Sequence, residues 1–142
     1  MYEASVTHAP CSDLFCASAA VADFRPRELQ RRKMKKGKSE TLSLELIKNP
    51  DIVAAVESLE SKPFTVGFAA ETNDVENYAK KKLAEKNLDL IIANDVSNSE
   101  IGFNSDNNAV TVISKFERHQ FDERRKDQLA RDLIVYISRI LS

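Results

Sequence analysis

The sequence predicts an α/β fold: a mainly parallel sheet flanked by helices, closed by a C-terminal β-hairpin and helix. Three observations carry that expectation. Apolar runs of strand length recur at residues 13–20, 64–70 and 88–93. The stretch between the second and third has the apolar period of a helix, and strands that alternate with helices pair in parallel. Beyond residue 108 come two further strand-like runs and an amphipathic pattern. A chain of 142 residues suits one domain and can bury a sizeable core.

Along the chain, residues 13–20 are mostly apolar and end in small side chains, as suits a buried strand whose end approaches a ligand. The chain therefore opens on a strand-ready segment. Residues 25–38 have no apolar period and are broken at Pro26, so they read as a loop, a flexible basic flap reaching about residue 40. Thr41-Leu42-Ser43-Leu44-Glu45-Leu46 alternates as a half-buried strand does. At Asn49-Pro50-Asp51 a helix starts, with Asn capping free amides and Pro tolerated in the first turn, and it runs to about Leu59.

Phe64 to Ala70 is the next strand. Asn73 with Glu76 gives a capping-box-like entry to a helix whose apolar stripe is Val75, Tyr78, Ala79 and Leu83, with Lys80, Lys81, Lys82, Glu85 and Lys86 on its polar side. Residues 88–93 form a third sheet strand. Residues 109–113 and a run near 116–121 pair as a hairpin, and a final helix carries Leu129, Leu133, Ile137 and Ile140 or Leu141 on one face.

Composition narrows the function classes. With 42% hydrophobic and 30% charged residues the chain is of ordinary globular type, and a formal net charge of -1 argues against a general polyanion binder. The expectation is no nucleic-acid partner and no membrane partner: no apolar run is long enough to span a bilayer, and the N-terminus lacks the basic-then-apolar order of a secretion signal. Cytoplasmic localisation follows. Cys11 and Cys16 are too few for a disulfide framework or a four-thiolate zinc site and read as reduced, incidental thiols; His8 and His119 have no ligand-like spacing.

The most informative segment is Ala19-Ala20-Val21-Ala22-Asp23-Phe24-Arg25-Pro26 with the basic run Arg31-Arg32-Lys33-Met34-Lys35-Lys36. A short apolar strand that ends in an acid and opens into a cationic segment is the layout of the carboxyl edge of an α/β sheet, where anionic ligands are held. None of Gly37, Gly67 and Gly102 makes a phosphate loop of the GxGxxG or Walker kind, which disfavours a plain dinucleotide-binding domain and suggests an N-terminal truncation. Metal ligands are not legible.

These residues, with Ile47-Lys48-Asn49-Pro50-Asp51-Ile52, Gly67-Phe68-Ala69-Ala70-Glu71-Thr72, Ala93-Asn94-Asp95-Val96 and Phe103-Asn104-Ser105-Asp106-Asn107-Asn108, resemble phosphopantothenoylcysteine synthetase, with the motifs in family order over residues 1–142. The resemblance implies a Rossmann-like fold and a ligase of coenzyme A biosynthesis, usually fused to a flavin-dependent decarboxylase. That enzyme joins 4'-phosphopantothenate to L-cysteine through an acyl-cytidylate, with CTP cleaved to CMP and pyrophosphate. It implies Mg2+ with CTP, FMN only in the decarboxylase domain absent here, and a homodimer to which residues near 109–113 contribute, the flap of one subunit lying near the other's site. The family's phosphate loop lies upstream of the matched stretch, so the chain alone is expected to be inactive.

By the same resemblance Lys33 stabilises charge in the transition state, and Ala17, Ser18, Ala19, Asp23, Ile47, Lys48, Asn49, Pro50, Phe68, Lys82 and Lys86 bind CTP. Bland readings stand beside these: a solvated basic loop for Lys33, a turn cap for Asp23, a helix cap for Asn49-Pro50, a core aromatic for Phe68 and a solvated face for Lys82 and Lys86. From another class, a nucleic-acid-binding module could use residues 25–38 as its electrostatic footprint. Asn94-Asp95 and residues 104–108 receive no chemical step.

Overall fold

A computed structural model describes residues 1–29, 32, 41–71, 74–95 and 105–142, the side chains of Glu71 and Asp95 excepted. Lys33, most of the basic flap, Asn73 and Asn104 lie outside the described residues. The elements in chain order are α1 (Tyr2–His8), a 3-10 turn (Ala9–Cys11), β1 (Leu14–Ala17), β2 (Phe24–Pro26), β3 (Leu46–Lys48), α2 (Ile52–Glu57), β4 (Phe64–Glu71), α3 (Val75–Glu85), β5 (Leu90–Asp95), β6 (Asn107–Ser114), β7 (Arg118–Arg125) and α4 (Lys126–Leu141). The class is α/β, as the sequence predicts. Five strands form one mixed sheet in the order β1-β4-β5-β6-β7, and β2 pairs with β3 in a separate ribbon.

The β1–β4 and β4–β5 pairs are parallel, while β5–β6 and β6–β7 are antiparallel. The parallel half is where the chain alternates strand and helix, and the antiparallel half is the C-terminal hairpin added to its edge. Both faces are covered, which is why Leu90-Ile91-Ile92-Ala93 is apolar without interruption. Leu90 and Ile92 pack with Val66, Val110, Val112 and Phe121 under Leu129, Leu133 and Ile137 of α4. Ile91 and Ala93 point the other way, with Ala69, Leu88 and Ile113, to Ala79 and Leu83 of α3. Successive residues of one strand thus feed opposite layers. The stripes read from the sequence hold at these buried positions; Tyr78, Ile140 and Leu141 are exposed.

Before residue 49 four local expectations differ from the structure. The chain opens on helix α1 rather than a strand; it is a single seven-residue helix with no buried residue, so no apolar period announces it. Strand β1 stops at Ala17, because only Leu14 to Ala17 find partners in β4, and beyond them tight turns form instead, Ser18 N–H donating to Cys16 O at 3.1 Å and Val21 N–H to Ala19 O at 3.0 Å. Arg25 and Pro26 belong to strand β2 rather than to the flap. Residues 41–45 are not a strand: Leu42 and Leu44 are exposed, and the pairing of β3 begins at Leu46 opposite Pro26. Pro26 stands opposite Leu46 at a position where the ladder asks for no amide, and Arg27 N–H still donates to Glu45 O at 2.9 Å beyond it.

The turn from α3 to β5 explains why that strand starts at Leu90 rather than Leu88. Asn87 adopts φ 52, Asn87 N–H donates to Ala84 O at 3.2 Å, and Leu88 N–H donates to Leu83 O at 3.0 Å. This is a Schellman ending, with Asn in the left-handed position and Leu88 folded back on Leu83. Close by, Thr65, fully buried in β4, offers its hydroxyl to Glu57 and to Asp89 Oδ2, the latter at 3.0 Å. Asp89 Oδ2 also accepts the Thr65 amide at 2.8 Å, and Glu57 Oε2 accepts Lys62 Nζ at 2.8 Å and Asn87 Nδ2 at 3.1 Å. One polar cluster therefore ties the end of α2, the start of β4 and the α3–β5 turn.

Candidate functional site

A cavity of about 410 Å3 opens where β1 leaves the sheet. Its floor is the end of β1 and Gly67-Phe68 of β4, one wall is Ser18, Ala19 and Val21 to Asp23, another is Lys48 to Val53, and Lys82 of α3 and its C-cap Lys86 complete it. Gly67 is required by packing: a Cβ there would come within 2.5 Å of Leu88 Cδ1, and Leu88 is buried at the same cavity. The bare backbone of Gly67 lets the core side chain and the cavity floor occupy adjacent space.

Most of the residues predicted from the sequence converge on this cavity. Ala17, Ser18, Ala19 and Asp23 lie on the β1 side, Lys48, Asn49 and Pro50 on the opposite rim, and Phe68, Lys82 and Lys86 between them. Ile47 does not line it; its neighbours in β3, Leu46 and Lys48, share one side of the ribbon and Ile47 takes the other. Lys33 lies outside the described residues. Asn94 lies elsewhere, near the end of β5, with its Oδ1 buried and without a partner among the described residues.

Asn49 has a different task from the helix cap read in the sequence. Its side-chain amide donates to Ala22 O at 2.6 Å, its Oδ1 accepts from Arg25 at 2.8 Å, and its backbone N–H donates to Asp23 O at 2.7 Å. It therefore staples the two rims together. The cap of α2 is Asp51, whose Oδ1 accepts Ala54 N–H at 3.1 Å, and the helix ends at Glu57 rather than near Leu59. Asp satisfies an orphan amide of the first turn directly, so that amide is not free for a ligand. For α3 the residue before the helix is Asp74, at φ 46, and its carboxylate accepts from the Asn77 side-chain amide rather than from a backbone N–H of the first turn.

The cations here are not equivalent. Lys82 Nζ donates to the carbonyl of Phe68 at 3.2 Å and makes no ion pair among the described residues, whereas Lys86 is ion-paired with Asp51. That hydrogen bond from Lys86, helped by the Ala54 amide, holds the Asp51 carboxyl below the usual carboxylate range. The stability it contributes is complete above the ordinary aspartate pKa and is lost as the pH falls through the lowered one. Phe68 is exposed at the cavity, so it is not a core aromatic but a free ring face. Cys16 also lines the cavity, and burial pushes its thiol up, which leaves it protonated and a poor nucleophile near neutral pH.

Sequence reasoning did not find the roles of Cys16, Asp51 and Gly67 here. Asp51 was in view within Asn49-Pro50-Asp51, but its partner Lys86 is far off in the chain. Among the described residues no group of three or more His, Cys, Asp or Glu side chains could hold a metal ion, and no helix is long and apolar enough to cross a membrane.

The chain is similar to known proteins. The coenzyme A biosynthesis bifunctional protein CoaBC of Vibrio cholerae serotype O1 is 52% identical over 132 residues, 92% of this chain and 33% of that protein. Its namesake from Haemophilus influenzae is 47% identical over 135 residues, 94% of this chain and 33% of that protein. The chain spans about a third of the length of these curated relatives. Among solved structures, the C-terminal domain of coenzyme A biosynthesis bifunctional protein CoaBC superposes with a TM-score of 0.75 at 33% identity, covering 99% of this chain and 60% of that one. The family model described as DNA/pantothenate metabolism flavoprotein C-terminal domain matches residues 1–141, and the chain belongs to that family.

Proposed function

We propose that this domain carries the ligase step of coenzyme A biosynthesis, phosphopantothenate–cysteine ligation driven by CTP, within a protein that also bears an FMN-dependent decarboxylase domain. The observation that supports it is the convergence on one cavity of the sequence-predicted nucleotide residues, all but Ile47 and Lys33. In the proposed chemistry a carboxylate oxygen of 4'-phosphopantothenate attacks the α-phosphorus of CTP and pyrophosphate leaves. The amine of L-cysteine then attacks the acyl carbon, loses a proton, and CMP leaves. A free carboxylate is a poor acylating agent at neutral pH, and the mixed anhydride supplies its leaving group. Such steps call for alignment and charge neutralisation more than for a strong base.

Each part of the cavity has a task in that scheme. The small side chains of Ala17, Ser18 and Ala19 let backbone approach the nucleotide, Phe68 offers a ring face to base or ribose, and Lys48, Lys82 and Lys86 supply cations for the phosphates. The backbone of residues 47–50 would read the cytosine edge. Mg2+ would come with the triphosphate, and Asp23, the cavity carboxylate outside the Asp51–Lys86 pair, would offer it an oxygen. When bound, the ion neutralises phosphate charge. A cytoplasmic homodimer, to which the resemblance assigns residues near 109–113, is part of this reading; Val110, Val112 and Ile113 of that stretch are buried in the domain's own core, whereas Phe24 and Leu46 of the β2–β3 ribbon are exposed.

Calorimetric titration with CTP, CMP and ATP, each with magnesium, tests the assignment: CTP and CMP should bind in preference to ATP, and equal affinity for CTP and ATP would remove it. The phosphate side is tested by Lys82→Ala. Losing one charge-assisted contact should weaken CTP about tenfold and CMP much less. Equal losses for the two nucleotides would take Lys82 out of the phosphate site.

A further inference from the structure

Lys82, in the last turn of α3, and Lys86, the C-cap of that helix four residues on, line the same cavity, yet their ammonium groups are held differently. Lys82 rests on a neutral carbonyl, that of Phe68. Lys86 rests on a carboxylate, and that carboxylate has two duties: Asp51 Oδ2 receives Lys86 while Oδ1 caps α2 through the Ala54 amide. The Asp51 and Lys86 side chains are 38% and 37% exposed, so water and any polyanion in the cavity reach the pair. A pair in that setting is weak enough to exchange.

We propose that Asp51 is a positioning residue for Lys86, the counter-ion from which the phosphates of a bound polyphosphate draw its ammonium, so that a chain of phosphates recruits the second lysine and a single phosphate does not. The inference rests on the nucleotide reading of the cavity. One carboxylate charge competes with the larger charge of a triphosphate, whereas a monophosphate next to Lys82 gains too little by also displacing Asp51. Because Lys86 already holds the Asp51 carboxyl below the usual range, Asp51 is ionised at neutral pH and ready to take the ammonium back. After pyrophosphate leaves, Lys86 returns to Asp51 instead of remaining unpaired, which favours product release.

The test is calorimetric titration of the wild-type chain and of Asp51→Asn with orthophosphate, tripolyphosphate, CMP and CTP, with ATP as the comparison nucleotide. Asparagine keeps an oxygen for the Ala54 amide, so the cap survives and circular dichroism should be unchanged. Asp51→Asn is expected to tighten tripolyphosphate and CTP roughly three- to tenfold, to leave orthophosphate and CMP within about twofold, and to lose the gain when Lys86→Gln is added. Unchanged or weaker tripolyphosphate binding, or an equal gain for orthophosphate, would overturn the exchange. If the exchange pattern appears with tripolyphosphate while CTP and ATP bind alike, the exchange stands and the nucleotide reading falls. A wild-type chain that binds none of these anions would overturn both.

Discussion

Thr65→Val will lower the unfolding free energy of this domain by about 3 kcal/mol, although the two side chains are close in volume. Thr65 is fully buried, and its hydroxyl lies between Glu57 and Asp89. The Glu57 side chain is only 7% exposed, so an oxygen that loses this donor cannot turn to water. A buried charged acceptor left unpaired costs more than the net value of the bond it made. Lys62 and Asn87 still hold the other Glu57 oxygen, which is why the loss stops short of that for a fully orphaned carboxylate. Thr65→Ser keeps the hydroxyl and removes one methyl, so it should cost about 1 kcal/mol. Urea denaturation of the three chains settles the order; a valine variant as stable as wild type would mean that the hydroxyl does not satisfy Glu57.

That cluster also marks what was hidden in the sequence. Strands β4, β5 and β6 and helix α4 were legible because their apolar residues repeat with the period of the element that buries them. The second strand of the C-terminal hairpin was legible only in part, because β7 buries Phe121 alone and runs from Arg118 to Arg125 rather than over 116–121. Hidden were contacts made by residues remote in the chain: Glu57 with Asn87, Asp51 with Lys86, Asn49 with Ala22. Asn49 and Asp51 are both good helix caps by type, and only the extended backbone of Asp51, with Ala54 in reach of its carboxylate, decides between them. The alternation of Leu42, Leu44 and Leu46 mimics a half-buried strand, but alternation sets which side a residue faces and supplies no partner strand. β2 is a three-residue strand, and one further backbone bond at each end, Asn49 N–H to Asp23 O and Arg27 N–H to Glu45 O, leaves residues 42–44 without a partner strand among the described residues.

The site was legible to a different degree in each part. Small residues ending β1, the acid after them and paired lysines on α3 are features that chemistry alone can flag, and the cavity collects all of them. The task of each is set by what the fold places opposite it. Lys82 and Lys86 look identical in the sequence and differ only because a carbonyl faces one and a carboxylate the other.

Within the proposed ligase reaction, Lys33→Gln in the complete bifunctional protein is expected to lower kcat about a hundredfold while changing CTP affinity by less than about threefold. Lys33 lies outside the described residues, and its assignment comes from its place at the head of Lys33-Met34-Lys35-Lys36 in a family whose sequence the chain shares. As carboxylate oxygen and pyrophosphate oxygen exchange places on the α-phosphorus, negative charge shifts onto the oxygens around it. The cavity's own cations, on α3 and β3, are fixed to the scaffold and serve the ground-state phosphates. The resemblance assigns Lys33 to the charge that changes, and a group that acts there alters turnover and not binding. Glutamine keeps a hydrogen-bonding end on a side chain one atom shorter and removes the charge, so the comparison reads mainly the electrostatic part. Single-turnover rates of acyl-cytidylate formation, set beside calorimetric CTP affinities for the same variant, make the measurement; parallel losses in both would place Lys33 among the ground-state phosphate ligands with Lys82.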